Sequence, residues 1–187
     1  MSTSTESEPE QDETTQLTEI EKRRKLDEEA FRHIIEETRT IADRADKYKN
    51  AHTYCKGFNQ ISDKLVKVSM LVLSTLTTYF ISKHTDELTA DELFVDKNLT
   101  FGTTIVSGIN AIFNFSNRAE THKAITAEYL KLNNDIVAQL NMFDYNQNNR
   151  KELNVIYEKA QSEITNLNVR STEIGLLYLS KKKYHII

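Results

Sequence analysis

The chain has few of the residues that make turns. Its 187 residues include one proline and four glycines, and these are the residues that most often interrupt helices and shape loops. With so few of them, the fold class is all-α, built from few and long helices. A single cysteine, Cys55, excludes an intramolecular disulfide and a multi-cysteine zinc site. The five histidines, at 33, 52, 84, 122 and 185, offer no pair spaced to put two ligands on one helical face, so no metal is expected. There is no phosphate-cradling glycine loop, no nucleophile elbow, and no grouping of nucleophile, base and oxyanion site. The sequence therefore predicts no enzyme, no catalytic residue, no cofactor and no small-molecule substrate. Nor does it predict nucleic-acid binding: Glu21-Lys22-Arg23-Arg24-Lys25 has acids close on both sides and reads as a solvated helix face.

The net charge is −4, and the acidic excess is largely local. Met1 to Gln16 carries Glu6, Glu8, Glu10, Asp12 and Glu13 with no basic residue. Such a segment cannot bury enough apolar surface to offset its ordering entropy, which predicts a disordered acidic tail over 1–17. It lacks the pattern of a cleavable signal peptide, so insertion into a membrane would start from an internal span.

Two such spans are readable. From Leu65 to Ser82, eighteen positions hold large apolar side chains and small hydroxyls, with Lys67 as the only charge. A bilayer core needs about 20 mostly apolar residues, with about 17 as the lower limit, and Lys67 is close enough to the start for its ammonium to reach the headgroups. The second segment, Leu99 to Phe115, has no charge but includes Gly102, Gly108, Asn110 and Asn114. Between the two, Lys83 to Asn98 reads as a short acidic loop with Asp86, Glu87, Asp91, Glu92 and Asp96. Lys47, Lys49, Lys56 and Lys64 precede the pair, and Arg118, Lys123 and Lys131 follow it. Because basic residues are retained on the cytoplasmic side, the asymmetry predicts a multi-pass protein with both termini cytoplasmic and the lipid bilayer as partner. The competing reading makes both segments buried helices of a soluble bundle.

Outside the hairpin of 65–115, the chain is patterned for helix packing. Phe31, Ile34, Thr38, Ile41, Ala45, Tyr48, His52 and Cys55 step by three and four along an amphipathic helix over 18–64. Cys55 on this stripe reads as a packed thiol. In the region 116–183, His122, Ile125, Tyr129, Leu132, Ile136, Leu140 and Phe143 form a second seam. After the Asn-rich run 144–149, Asn149 and Glu152 match a capping-box spacing. A third seam follows at Leu153, Tyr157, Ala160, Ile164, Leu167, Ile174 and Tyr178, with Ser171 as a polar interruption. Three such stripes predict a cytoplasmic three-helix antiparallel bundle. Lys181, Lys182 and Lys183 then suit either the negative end of a helix dipole or anionic headgroups.

Thr103, Ser107 and Ala111 recur every four positions, and Thr104 and Gly108 widen that face, a pattern that lets membrane helices approach closely. Asn110 near the middle of the second segment needs a hydrogen-bonding partner or water in lipid. It is a candidate oligomer contact or pore lining, or else bonds Ser74, Thr75 or Thr77 within the hairpin. Just past the membrane stand Arg118, Glu120, His122 and Tyr129, where a histidine titrating near neutrality could serve a pH-sensitive gate or simply pack.

The order of an amphipathic helix, a two-span hairpin, and then Phe115, Arg118-Ala119-Glu120, His122 and Tyr129 resembles the SLATT domain family over about residues 25 to 180. That resemblance implies a membrane-embedded effector that forms a homo-oligomer and makes a pore. The alternative is a soluble or peripheral helical adaptor or scaffold with the apolar segments forming a bundle core.

Overall fold

The computed structural model describes residues 10–82, 89–143, 150–175 and 182–186, and among them the chain is all-helical. The helices among the described residues are α1 (Glu10–Ser82), α2 (Ala90–Phe113), α3 (Phe115–Met142) and α4 (Arg150–Ile174).

Helix α1 begins at Glu10, inside the stretch that the composition reads as a disordered tail over 1–17. The physical reason is an absence. From Glu10 to Lys56 the sequence has neither proline nor glycine, so nothing in the backbone stops the helix from extending toward the N-terminus. Gly57 is the one glycine within α1, and the helix passes through it unbroken.

The acidic connection is shorter than the charge pattern predicts. Thr89 caps α2: its hydroxyl accepts from the Glu92 backbone N–H at 3.3 Å, and the Glu92 carboxylate accepts from the Thr89 N–H at 3.0 Å. This reciprocal pair satisfies two orphan donors and starts the helix at Ala90, so Asp91, Glu92 and Asp96 are helical and not loop residues. The acids then sit in the first turns, where the helix dipole favours them. Residues 83–88, including Asp86 and Glu87, lie outside the described residues, as do the predicted cap Asn149, Tyr178 and Lys181.

At its other end α2 stops at Phe113, two residues before the predicted limit at Phe115. Asn114 takes the left-handed conformation (φ 43°, ψ 55°), and its N–H donates to the Asn110 carbonyl at 2.8 Å. Its side-chain oxygen accepts from the Asn117 N–H at 3.4 Å in the first turn of α3. One residue thus closes one helix and opens the next, two roles that asparagine's small amide allows. Helix α4 closes similarly: Gly175 has φ 76° and its N–H donates to the Ser171 carbonyl at 3.1 Å, just past Ile174.

The helices contribute to two compact units. One comprises α1 up to Arg44 with residues 132–164 of α3 and α4. Its core is Ile35, Thr38, Ile41 and Ala42 against Leu132, Ile136, Leu140, Phe143, Leu153, Ala160 and Ile164. Phe31 meets Phe143 with ring centroids 5.7 Å apart. Arg150 reaches Asp27 at 3.1 Å, and Tyr157 and Glu37 line one recess a few turns on, so α1 and α4 run parallel here.

The other unit comprises residues 45–131 and 165–187. Ala45, Ala51, His52, Cys55 and Asn59 on α1 are buried with Ala119, His122, Ile125 and Tyr129 on α3 and Leu167 and Ser171 on α4. Tyr48 pairs with Tyr129 and His52 with His122, so α3 runs antiparallel to α1. The α3 seam read from the sequence is buried at every position, from His122 to Phe143. This unit also contains the two apolar segments. Among the described residues, none between Asn59 and Ala119 is buried.

Candidate functional site

Two features stand out beyond ordinary helix packing, and both belong to the unit formed by 45–131 and 165–187. The first is the apolar pair of helices. Leu65, Val68, Leu71, Val72, Tyr79 and Ile81 of α1 are each more than half exposed, as are Phe94, Phe101 and Ile112 of α2, and α2 has no buried residue. Among the described residues one helix, α1, is long and apolar enough to cross a membrane.

The two segments approach each other at Gly102. A side chain built on Gly102 would meet the Leu73 methyls at 3.8 and 3.9 Å, an ordinary contact that places α2 against α1 at that level. Thr103, Ser107, Gly108 and Asn110 are half-buried, whereas Ala111 is exposed. Ser74 donates to the Leu71 carbonyl at 3.2 Å, Thr75 to the same carbonyl at 2.8 Å, and Thr77 to the Leu73 carbonyl at 2.9 Å. These hydroxyls donate within their own helix.

At the junction after α2, the Phe113 and Phe115 rings stack with centroids 5.5 Å apart, and the Arg118 guanidinium lies 6.0 Å above the Phe113 ring. Glu120 points outward and pairs with Lys123 at 3.3 Å. Of the four juxtamembrane residues singled out from sequence, Arg118 and Glu120 are exposed, while His122 and Tyr129 are buried.

Those two buried residues belong to the second feature, a polar cluster that the sequence shows only in part. His52 Nδ1 lies 2.8 Å from His122 Nδ1, and His52 Nε2 lies 2.7 Å from Ser171 Oγ. Tyr129 stacks on Tyr48 with centroids 5.4 Å apart, approaches His52 at 5.8 Å, and donates from its hydroxyl to Asn168 Oδ1 at 2.8 Å. Burial holds the His52 ring well below the ordinary histidine range, at about 4, with His122 adding to the effect. Burial also lowers His122, with the nearby Arg118 cation second. Tyr129 is pushed up to about 12, chiefly by burial. At neutral pH both imidazoles are neutral and one N–H spans the contact.

His52 and Ser171 were readable only as members of their seams. The signal was that each places a polar group where the period demands an apolar one, on helices far apart in sequence. A seam with two polar interruptions calls for those interruptions to meet, because an unpaired buried polar group is costly.

A recess of about 180 Å³ lined by Glu37, Thr40, Ile41, Arg44, Tyr157 and Gln161 is smaller than the few hundred Å³ typical of ligand pockets. The Cys55 thiol is buried. Among the described residues there is no group of three or more His, Cys, Asp and Glu side chains placed to hold a metal ion. Lys183 near the C-terminus sits 5.3 Å from the centre of the Tyr54 ring on α1. No family model, no curated protein and no solved structure matches the chain.

Proposed function

We propose that the chain is a two-span integral membrane protein with both termini cytoplasmic, and that its hairpin oligomerises to form a pore or to perturb the membrane, as the resemblance to SLATT effectors implies. The observation that carries the reading is the exposure of the apolar segments. The helices bury Ile35, Ile41, Ala45, Cys55, Ile125, Tyr129, Leu132 and their neighbours, but none of the described residues between Asn59 and Ala119. A contiguous apolar surface of this extent calls for a cover, and lipid is the cover that suits a helix fitting the bilayer by length and composition. A soluble scaffold with these segments as its core would bury them.

Within this reading the half-buried Thr103, Ser107 and Asn110 lie on the packing side of α2, while Gly108, where an added side chain would meet nothing within 4 Å, and Ala111 are left to face a neighbouring copy. Asn110 is the residue proposed to bond across copies or to line water, since an amide in hydrocarbon needs such a partner. Arg118 and the lysines on either side of the hairpin hold it in register with the cytoplasmic face.

Alkaline-carbonate extraction of the expressed protein tests the insertion directly. Retention in the membrane pellet is expected; release into the supernatant would discard the reading. For a retained protein, Asn110→Leu is expected to reduce both oligomer size and ion leakage in reconstituted vesicles, and no change in either would remove the pore assignment.

A further inference from the structure

The histidine pair has a stoichiometric limit that follows from its geometry. A gap of 2.8 Å between His52 Nδ1 and His122 Nδ1 accommodates one N–H, which one ring donates and the other accepts. The other nitrogen of His52 is engaged by Ser171. With both rings neutral there is one proton in the gap and every contact is made. One added proton can still be held, because a doubly protonated ring donates across the gap to a neutral one. A second added proton cannot: both Nδ1 atoms would carry hydrogens directed at each other, on two buried cations.

Among the described residues, no anion is placed against either ring to neutralise such charge. On α1, Tyr48 lies beside the cluster, and Asp46 is taken by Lys49. On α3, Arg118 is a like charge to a protonated His122, Glu120 pairs with Lys123, and Glu128 binds Arg170 of α4 at 2.8 Å. Helix α4 otherwise presents Ser171 and Asn168, which are uncharged. The forces on the rings are burial, each other and Arg118, and all three oppose protonation.

We propose that His52 and His122 form an acid-released latch between α1 and α3: the rings hold the two helices together while a single proton occupies the gap, and acidification forces them apart. Release frees the bundle beside the apolar hairpin on both of its arms, since α1 runs on without a break from His52 to Leu65 and His122 stands about two turns past Phe115. The latch itself does not depend on the membrane reading, because it is built wholly from residues outside the apolar segments.

The test uses the full chain with ¹⁵N-labelled histidine, in detergent or free in buffer as its extraction behaviour dictates. Ring-nitrogen shifts give each protonation state, and amide exchange reports opening. Between pH 6.5 and 4, exchange in 45–59 and 119–131, corrected for its intrinsic pH dependence, is expected to quicken by about tenfold to hundredfold per pH unit, because opening takes up one or two protons. The double variant His52→Phe/His122→Phe, with rings of similar size that cannot protonate, is expected to lose that dependence. The proposal is overturned if the rings titrate near 6.5 with exchange unchanged, or if the double variant keeps the dependence. Should the double variant not fold, the ring shifts decide alone: both rings becoming doubly protonated while exchange in these segments stays slow would overturn it.

Discussion

The Tyr129 ring lies flat on Tyr48, 5.4 Å between centroids and 10° from parallel, while its hydroxyl donates to Asn168 on a third helix. One side chain therefore ties α3 to α1 by its face and to α4 by its edge. Tyr129→Phe keeps the stack and removes the hydroxyl bond, at an expected cost of about 1 kcal/mol. Tyr129→Ala removes both and leaves a cavity, at an expected cost of about 3–5 kcal/mol. Denaturant unfolding of the two variants beside the parent chain measures the difference, and equal costs would contradict the assignment of separate roles.

Stability should fall on the acid side of neutrality. In the unfolded chain His52 takes up its proton near 6.5, whereas the folded chain resists until about 4. Its contribution is thus fully present above pH 6.5 and is lost as the pH falls from there toward 4. At about 1.4 kcal/mol per pKa unit, the loss is on the order of 3 kcal/mol. Lowered His122 acts in the same direction. Unfolding midpoints measured at intervals from pH 7.5 to 4.5 check this, and a flat profile between 6.5 and 5 would contradict it.

At the α2–α3 joint, Asn114→Gly and Asn114→Val should part company. Glycine accepts the left-handed conformation and gives up only the cap to Asn117. Valine loses the cap and is strained at φ 43°, for a combined expected cost of about 2–3 kcal/mol. Thermal unfolding followed by helical circular dichroism distinguishes them.

Gly57→Ala is expected to stabilise the chain. The glycine is helical, has no positive φ, and a methyl there meets nothing within 4 Å. Relief of the glycine penalty should raise stability by about 0.5–1 kcal/mol, readable as an increase in Tm.

A charge near the middle of the first apolar segment tests its solvent. Leu71 is 67% exposed. Leu71→Arg should lower the carbonate-resistant fraction sharply, since an arginine near a helix centre costs about 2.5–3.5 kcal/mol on insertion. Val155→Arg, on the exposed side of α4, should leave that fraction unchanged.

The packing faces were readable from periodicity because a helix with one apolar stripe has one way to bury it. His122 through Phe143 is a seam on paper and a buried row in space. The turns were harder. Thr89-Ala90-Asp91-Glu92 has the sequence of a capping box, yet the acidic residues around it dominate any reading by charge and assign the same letters to a loop. Asn114 gave no periodic signal at all, since a single left-handed residue alters no spacing. His52 and Ser171 are visible singly and meaningless until the fold brings together positions 119 residues apart.

The hydroxyls of the apolar segments put the hydropathy of those segments in a different light. Ser74, Thr75, Thr77, Thr78 and Ser82 on α1, and Thr103 and Thr104 on α2, all donate to a carbonyl of their own helix. A scale that sums residue types counts each as a polar group seeking water, although its donor is already spent on the backbone. The surface these helices present is greasier than their letters. Each hydroxyl can also be swung to a neighbouring helix without breaking a backbone bond, so the segment carries a reserve of directional contacts that a run of leucines would lack.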